Sequence, residues 1–558
     1  MGFSQRFVSA FKPSLTSPLT QAWLGALWIG VLCNWPLWQR MAQLPELSNA
    51  SGLGFILVFM GIVTLLTGAL LSLLAWPRLI KAALSISLLS AAALAHFMGS
   101  YGIVVDPSMV VNIVQTNVNE ASDLLSLRLL ASLLVLGVLP AWLLWRQPSD
   151  QRPVWRRLGW NLLSLLIAVA LMLALVMSSF ADLASTMRNH KTLRYMINPL
   201  NAYFSIGVVL AQSQAKPQGP PEVVGADAHL LPLPAGHKPT LLVLVVGETA
   251  RAANFSLNGY QRPTNPMLAQ REVLSFHNVS SCGTSTAASL PCMFSHLGRE
   301  GFGSLKHSQE NLLDVLQRAG LAVLWLDNQS GCKGLCDRTP NSSTITAAAG
   351  APALPAVLCD GDECLDQALL TGLDQRLAAM PADQRSRGVV LVMHQMGSHG
   401  PAYYKRSPAE AKPFQPECRS NALQQCPREQ VLNAYDNSIA YTDSILAGTI
   451  DWLKMQQARF DTAMLYISDH GESLGENNLY LHGLPYSVAP REQTHVPMVL
   501  WLPKPSAQQL GVKPECLAAQ LDTPLSHDNL FHTVLGLSRV RAQIYRADWD
   551  LMARCTAP

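Results

Sequence analysis

Ala463-Met464-Leu465-Tyr466-Ile467-Ser468-Asp469-His470-Gly471-Glu472 is an apolar run that ends abruptly in an acid, an imidazole and a second acid. The run is continuous rather than alternating, the pattern of a strand covered on both faces in a largely parallel sheet. Leu241–Val246, Leu321–Leu326, Val389–Val392 and Val496–Leu502 share that pattern, and Asn311–Ala319, Asp366–Met380 and Gln430–Gln457 can supply the covering helices. The expectation is an α/β domain with a central, mostly parallel sheet over residues 240–558, long enough to bury a substantial core.

Ligands of open α/β sheets bind beyond the carboxyl ends of the strands, so the residues just after each run carry the chemistry. Gly247-Glu248 comes after the first run, and Asp327-Asn328 with nearby Lys333 after the second. His394 and His399 come after the third, and Asp469-His470 after the fourth, with His482 a little later. Any one strand-end carboxylate is more often a helix cap than a catalyst. Together, Glu248, Asp469 and His470 form a hard-to-borderline donor set suited to Zn²⁺, and Mn²⁺ is compatible with the same residue types. A hydroxyl-rich loop bracketed by cysteines, Ser281-Cys282-Gly283-Thr284-Ser285-Thr286-Ala287-Ala288-Ser289-Leu290-Pro291-Cys292, offers a nucleophile that a metal could activate. The same loop could equally be a stapled helix start without chemistry. Residue type does not choose among Thr284, Ser285, Thr286 and Ser289.

The first third of the chain has another character. The whole sequence has 558 residues, 49% hydrophobic but only 14% charged, well below the roughly 25% charge of soluble domains. A net charge of +3 is too mild to argue for nucleic acid as a partner. Leu19–Gln39, Leu53–Trp76, Ala82–Val105 and Leu158–Phe180 carry no charged side chain, and Leu124–Trp145 carries only Arg128. Each can cross a hydrocarbon core of about 30 Å as a helix, and no small-residue cleavage site comes after the first. The expectation is therefore a transmembrane domain of five helices over 1–180. Arg6, Lys12, Arg78, Lys81, Arg146, Arg152, Arg156 and Arg157 fall on one side, which places the N-terminus in the cytoplasm and everything after Phe180 outside. Residues 181–239 read as interfacial helices followed by a Pro-rich linker from Ala211 to Pro239.

Cysteine usage agrees with an oxidising compartment. Cys33 lies in the membrane region, and the other ten of the 11 cysteines come after Ser281. Cys282 with Cys292, Cys332 with Cys336, Cys359 with Cys364 and Cys418 with Cys426 are close neighbours, and Cys516 and Cys555 remain as a long-range pair. Disulfides fit this pattern better than metal ligation, because no histidine stands at finger spacing.

Several of these stretches, taken whole, carry a resemblance. Val246-Gly247-Glu248-Thr249-Ala250-Arg251, Asn258-Gly259-Tyr260, the Cys282–Cys292 loop, His394-Gln395-Met396-Gly397-Ser398-His399-Gly400-Pro401 and Ser468-Asp469-His470-Gly471-Glu472-Ser473-Leu474-Gly475-Glu476 closely resemble the phosphoethanolamine transferases that modify lipid A, a group that includes the mobile colistin-resistance enzymes. The resemblance implies an alkaline-phosphatase/sulfatase-type fold and one tightly bound zinc. It implies Thr286 as nucleophile, ligated to that zinc with Glu248, Asp469 and His470. Asn328 and Lys333 would contact phosphate, while His399 and His482 would line the acceptor or a second-metal site. Asn112, Thr116 and Glu120 are spaced four apart, so a helix would put them on one face. Such a stripe is usually a solvated face, but family members carry the same spacing in the donor-lipid site. The implied activity moves phosphoethanolamine from phosphatidylethanolamine to a lipid A phosphate through a phospho-threonine, in a monomer of the bacterial inner membrane with a periplasmic catalytic domain. The alternative is a related metal-dependent transferase that acts on core oligosaccharide or uses a phosphoglycerol donor. A simple phosphatase would not need five spans, and a non-enzymatic membrane sensor would not need the metal and nucleophile set.

Overall fold

The computed structural model describes residues 16–116, 118–148, 153–215, 219–344, 346, 354–361 and 363–556. Arg6, Lys12 and Arg152, on which part of the orientation reading rests, lie outside them. The chain forms two compact units, one of residues 1–110 and 125–208, the other of residues 111–124 and 209–558.

The first unit is helical. Ala50–Leu73, Leu79–Tyr101, Leu127–Arg146 and Val154–Ser178 are long and apolar enough to cross a membrane. The first expected span is shorter: an apolar helix covers Pro18–Cys33, Asn34 interrupts it, and Trp35–Ala42 resumes. Among the described residues four candidate spans thus stand where five were expected. The interruption at Asn34 has a physical role. Its side-chain amide donates to the Asn198 carbonyl at 2.7 Å and its oxygen accepts from the Asn198 N–H at 2.8 Å, while Asn198 Nδ2 donates to Ala91 O at 2.8 Å. Both asparagines are buried, where unpaired amides would be costly. At another point of this unit the Lys81 ammonium donates to the Gln147 carbonyl, which joins the basic loops after the second and fourth expected spans. The helix Leu200–Ala215 runs a short way into the stretch read as linker.

The second unit is built on an eight-stranded sheet. In chain order its strands are β1 (Thr240–Gly247), β2 (Val273–Ser280), β3 (Ala322–Asp327), β4 (Asn341–Ser343), β5 (Gly388–His394), β6 (Asp461–Ser468), β7 (His495–Trp501) and β8 (Leu525–Ser526). Their order across the sheet is β8-β2-β7-β6-β1-β5-β3-β4. All neighbours are parallel except β7, which runs antiparallel to both β2 and β6. The sheet is therefore mixed, and the apolar run at Val496 belongs to its reversed strand. β1, β5 and β6 are buried along their whole length, because helices cover both faces, which is why their runs do not alternate. Arg428–Gln456 packs Tyr435, Ile439, Leu446 and Leu453 into the interior, and Leu312–Arg318 is started by a capping box of Asn311 and Asp314. The five cysteine pairs named above are disulfide-bonded, and Cys33 is a buried free thiol.

Candidate active site

β1 ends at Gly247 and β6 at Ser468, side by side and parallel. Glu248 and Asp469-His470 therefore leave the sheet at the same rim. All three are fully buried, and one donor atom from each lies within 4.8 Å of the others. His470 Nε2 is 3.3 Å from Glu248 Oε1 and 3.4 Å from Asp469 Oδ2. The hydrogen bond from His470 Nδ1 to Gly471 O, 2.9 Å, fixes the ring with Nε2 toward the carboxylates. Asp469 is oriented as well, its Oδ1 accepting from the N–H groups of Thr249 at 3.1 Å and His470 at 2.7 Å.

Thr286 opens the helix Thr286–Met293, stapled to its preceding loop by Cys282–Cys292. Its hydroxyl lies 3.0 and 3.1 Å from the two Glu248 oxygens. The contacts of three of the four loop hydroxyls differ. Thr284 Oγ1 donates to Leu484 O at 2.7 Å and Ser289 Oγ to the Asp469 carbonyl, so both serve the scaffold. Thr286 is the loop hydroxyl that reaches the carboxylate cluster.

The electrostatics of the cluster are those of a cation site. Burial would raise the Glu248 carboxyl, but the neighbouring His470 imidazole, 3.3 Å away, together with His399 and His394 overrides it and holds Glu248 below the usual carboxylate range. Burial and the negative charge of Glu248 push Asp469 up to about 6. Burial opposes the His470 imidazolium, yet Asp469 and Glu248 carry it up to about 10. Asp469 Oδ2 and His470 Nε2 are buried with no hydrogen-bond partner among the described residues, an expensive arrangement for polar atoms. Two carboxylates, one ring nitrogen and a hydroxyl, all turned inward, fit a divalent metal ion.

Around this core the other expected residues divide. His482 lies against His470, the rings tilted with centroids 4.3 Å apart, and the His399 ring lies 6.2 Å from His482. Burial pushes the His399 imidazole down. Lys333 donates to Ser330 Oγ at 2.8 Å and to Gln115 O at 3.3 Å. Asn328 departs from expectation. Its amide donates to Cys364 O at 2.9 Å and Asp366 Oδ1 at 2.8 Å, and its oxygen accepts from Thr344 at 2.7 Å. Both amide hydrogens thus go to the scaffold, which leaves none for phosphate. The neighbouring Gln329 instead approaches Glu248, 3.3 Å from Oε2. The polar stripe departs too: the helix breaks, with Asn112 in Pro107–Gln115, Thr116 beyond its end and Glu120 in Val118–Asp123. Thr116 Oγ1 donates to the Asn112 carbonyl at 2.8 Å, and Glu120 Oε1 lies 4.0 Å from His399 Nε2.

Two groups escape a reading from sequence. Glu472 is fully buried, accepts from the Tyr403 hydroxyl at 2.9 Å and faces His482 Nδ1 at 3.4 Å. Its place in Asp469-His470-Gly471-Glu472 is the available signal. Asp366 gathers the N–H groups of Met396 and Gly397 at 2.8 and 2.9 Å. Gly397 has φ +54° and lies so close to Glu248 that an added Cβ would fall 2.6 Å from the Glu248 carbonyl oxygen. Only glycine lets the histidine loop lie against the cluster there.

Comparison with known proteins agrees with this architecture. A family model described as sulfatase matches residues 240–540, and one described as phosphoethanolamine transferase EptA/EptB matches residues 62–214. The chain is 39% identical over 557 residues to phosphoethanolamine transferase EptA of Escherichia coli K12, covering 98% of each. It is 38% identical over 529 residues to the phosphatidylethanolamine transferase Mcr-1 of Escherichia coli, covering 93% of this chain and 94% of that one. Among solved structures it resembles the integral membrane lipooligosaccharide phosphoethanolamine transferase A of Neisseria meningitidis, with TM-score 0.89 and 34% identity over 96% of this chain and 99% of the other.

Proposed function

Because this chain belongs to the phosphoethanolamine transferases, we propose that it moves phosphoethanolamine from phosphatidylethanolamine to a lipid A phosphate through a covalent intermediate on Thr286. The observation that carries this reading is the Thr286 hydroxyl, held at a helix start against both oxygens of Glu248. Glu248, Thr286, Asp469 and His470 would hold one Zn²⁺, which when bound supplies Lewis-acid chemistry that eases deprotonation of a coordinated hydroxyl.

The protein's own groups carry the transfer. Thr286 gives up its proton through the hydrogen bond to Glu248 and attacks the donor phosphorus. The bond from phosphorus to the diacylglycerol oxygen breaks, and that oxygen takes a proton from the His399–His482 pair. Glu472 orients His482 by facing its Nδ1, which leaves Nε2 for the chemistry. A lipid A phosphate oxygen next attacks the phosphorus, its proton passing to the His399–His482 pair; the bond to Thr286 breaks, and the proton held by Glu248 returns to restore the hydroxyl. Glu120, with Asn112 and Thr116, would receive the ethanolamine ammonium, and Lys333 the phosphate. Two displacements let the two bulky lipids bind one at a time.

The same reading places the protein in the bacterial inner membrane as a monomer with its N-terminus in the cytoplasm and its catalytic domain in the periplasm. Helix Pro18–Cys33 with Trp35–Ala42 would complete a fifth span. A lipid A phosphate carrying an amine-bearing substituent is less anionic, so cationic polymyxins are attracted less. Mass spectrometry of lipopolysaccharide from cells expressing the chain is the test. Phosphoethanolamine on a lipid A phosphate is expected. The same group found only on core sugars, or phosphoglycerol in its place, would move the assignment to the related acceptor or donor.

A further inference from the structure

Residues 111–124 lie in sequence between two candidate membrane spans, yet they group with the catalytic unit. Their two helices, Pro107–Gln115 and Val118–Asp123, are short, and helices of that length are not stable by themselves in water. Ile113, Val114 and Val118 are exposed, so apolar packing does not hold the segment. Among its described residues Asp123 alone is buried, at 3% exposure.

Asp123 ends the second helix in a dense set of bonds. Its Oδ1 accepts from Lys405 Nζ at 2.6 Å, its Oδ2 from Arg406 Nη2 at 3.0 Å, and its carbonyl from Asn421 Nδ2 at 2.6 Å. Arg406, itself 5% exposed, donates from Nε to the His399 carbonyl at 2.8 Å and from Nη1 to Glu363 at 3.2 Å. One guanidinium thus joins Asp123 to the backbone of His399, and Glu120, three residues before Asp123, lies 4.0 Å from the ring of that histidine. A buried carboxylate with two cationic partners is costly to break from one side, since it strands the others without a counter-charge.

We propose that Asp123 is a positioning residue: through Arg406 and Lys405 it clasps segment 111–124 to the loop that carries His399, and so sets where the phosphoethanolamine donor binds. The donor part of the inference rests on Glu120 receiving the ethanolamine ammonium. The clasp acts on donor binding more than on bond breaking, because Asp123 touches none of the Thr286, Glu248, Asp469 or His470 side chains.

The test uses the full-length enzyme in detergent with phosphatidylethanolamine as donor, comparing wild type, Asp123→Asn, Asp123→Glu and Glu120→Gln. Asp123→Asn should raise the donor KM at least about tenfold while kcat falls less than threefold, with partial rescue in Asp123→Glu. Hydrogen–deuterium exchange should quicken in peptides covering 107–124 and stay unchanged in β1 and β6. Should Asp123→Asn fold poorly, Lys405→Met removes one partner and should show the same pattern in weaker form. A raised KM in Glu120→Gln with none in Asp123→Asn overturns the clasp and leaves the donor reading standing. Faster exchange in 107–124 with an unchanged KM in both variants keeps the clasp but overturns its link to the donor. Loss of kcat alone in Asp123→Asn, or faster exchange across the whole unit, overturns the positioning role.

Discussion

Replacing Glu472 by glutamine removes one charge from a buried pair while preserving shape. In the native chain the carboxylate accepts from Tyr403 at 2.9 Å and faces His482 Nδ1 at 3.4 Å. Among the described residues neither Glu472 Oε1 nor His482 Nδ1 has another hydrogen-bond partner, so none of them substitutes for the lost interaction. A glutamine can keep the Tyr403 bond through its oxygen but then turns its own N–H₂ toward His482. His482 Nδ1 then has no acceptor for its proton, and the doubly protonated ring that donates from Nε2 loses its counter-charge. A hydrogen bond to a charged group is worth roughly 1.5–3 kcal/mol. Taking about 2 kcal/mol at 1.36 kcal/mol per factor of ten gives a loss of roughly thirtyfold in kcat. Steady-state transfer to lipid A by the purified enzyme measures it, with metal content by mass spectrometry and thermal melting as controls. Wild-type kcat in Glu472→Gln would refute the assignment of His482 as the proton donor oriented by Glu472.

The same geometry sets other outcomes. Unreduced protein unfolded in denaturant should titrate with one thiol per chain, at Cys33, because the other ten cysteines are paired. Asp469→Ala or His470→Ala should lose zinc and activity together, measured on the same preparation, and full zinc occupancy in both would place the metal elsewhere. The chelated enzyme should lose stability as pH rises from 5 to 10. Asp469 is raised to about 6 from 3.8, so the stability it contributes is complete below about 4 and is lost as pH rises through 6. His470 is raised to about 10 from 6.5, and its contribution is lost as pH rises through 10. Melting temperatures of the chelated protein across that range should fall, and added zinc should flatten the slope.

The centre of the fold is legible in the sequence because its strands are covered on both faces. Leu241–Val246, Val389–Val392 and Ala463–Ile467 form β1, β5 and β6, adjacent and fully buried. The sheet margin is not legible. β2 includes partly exposed His277 and exposed Asn278, with a mixed burial pattern, and β4 and β8 are too short to leave a pattern. The reversal of β7 is invisible in an apolar run, since residue type carries no direction. At the site, the acids and imidazoles can be read from strand ends, but hydroxyls within one loop are chemically alike. Only the folded chain shows that Thr286 approaches Glu248 while the carbonyls of Leu484 and Asp469 claim Thr284 and Ser289. Asn328 misleads for the converse reason: its partners Cys364, Asp366 and Thr344 come from remote sequence. The break at Thr116 interrupts a stripe whose regular spacing suggests one helix, and the buried Asp123 at the end of that stretch looks in sequence like one more loop acid.

The central claim is that Thr286 carries the phosphoethanolamine group between two lipids. Intact-protein mass spectrometry after incubation with phosphatidylethanolamine, with acceptor withheld, tests it most directly. The wild-type enzyme should gain the mass of one phosphoethanolamine group, mapped by digestion to Thr286, and lose it when lipid A is added. Thr286→Ala should stay folded, show no adduct and transfer nothing. An adduct on Thr284 or Ser285, or a Thr286→Ala enzyme that still transfers, would contradict the account.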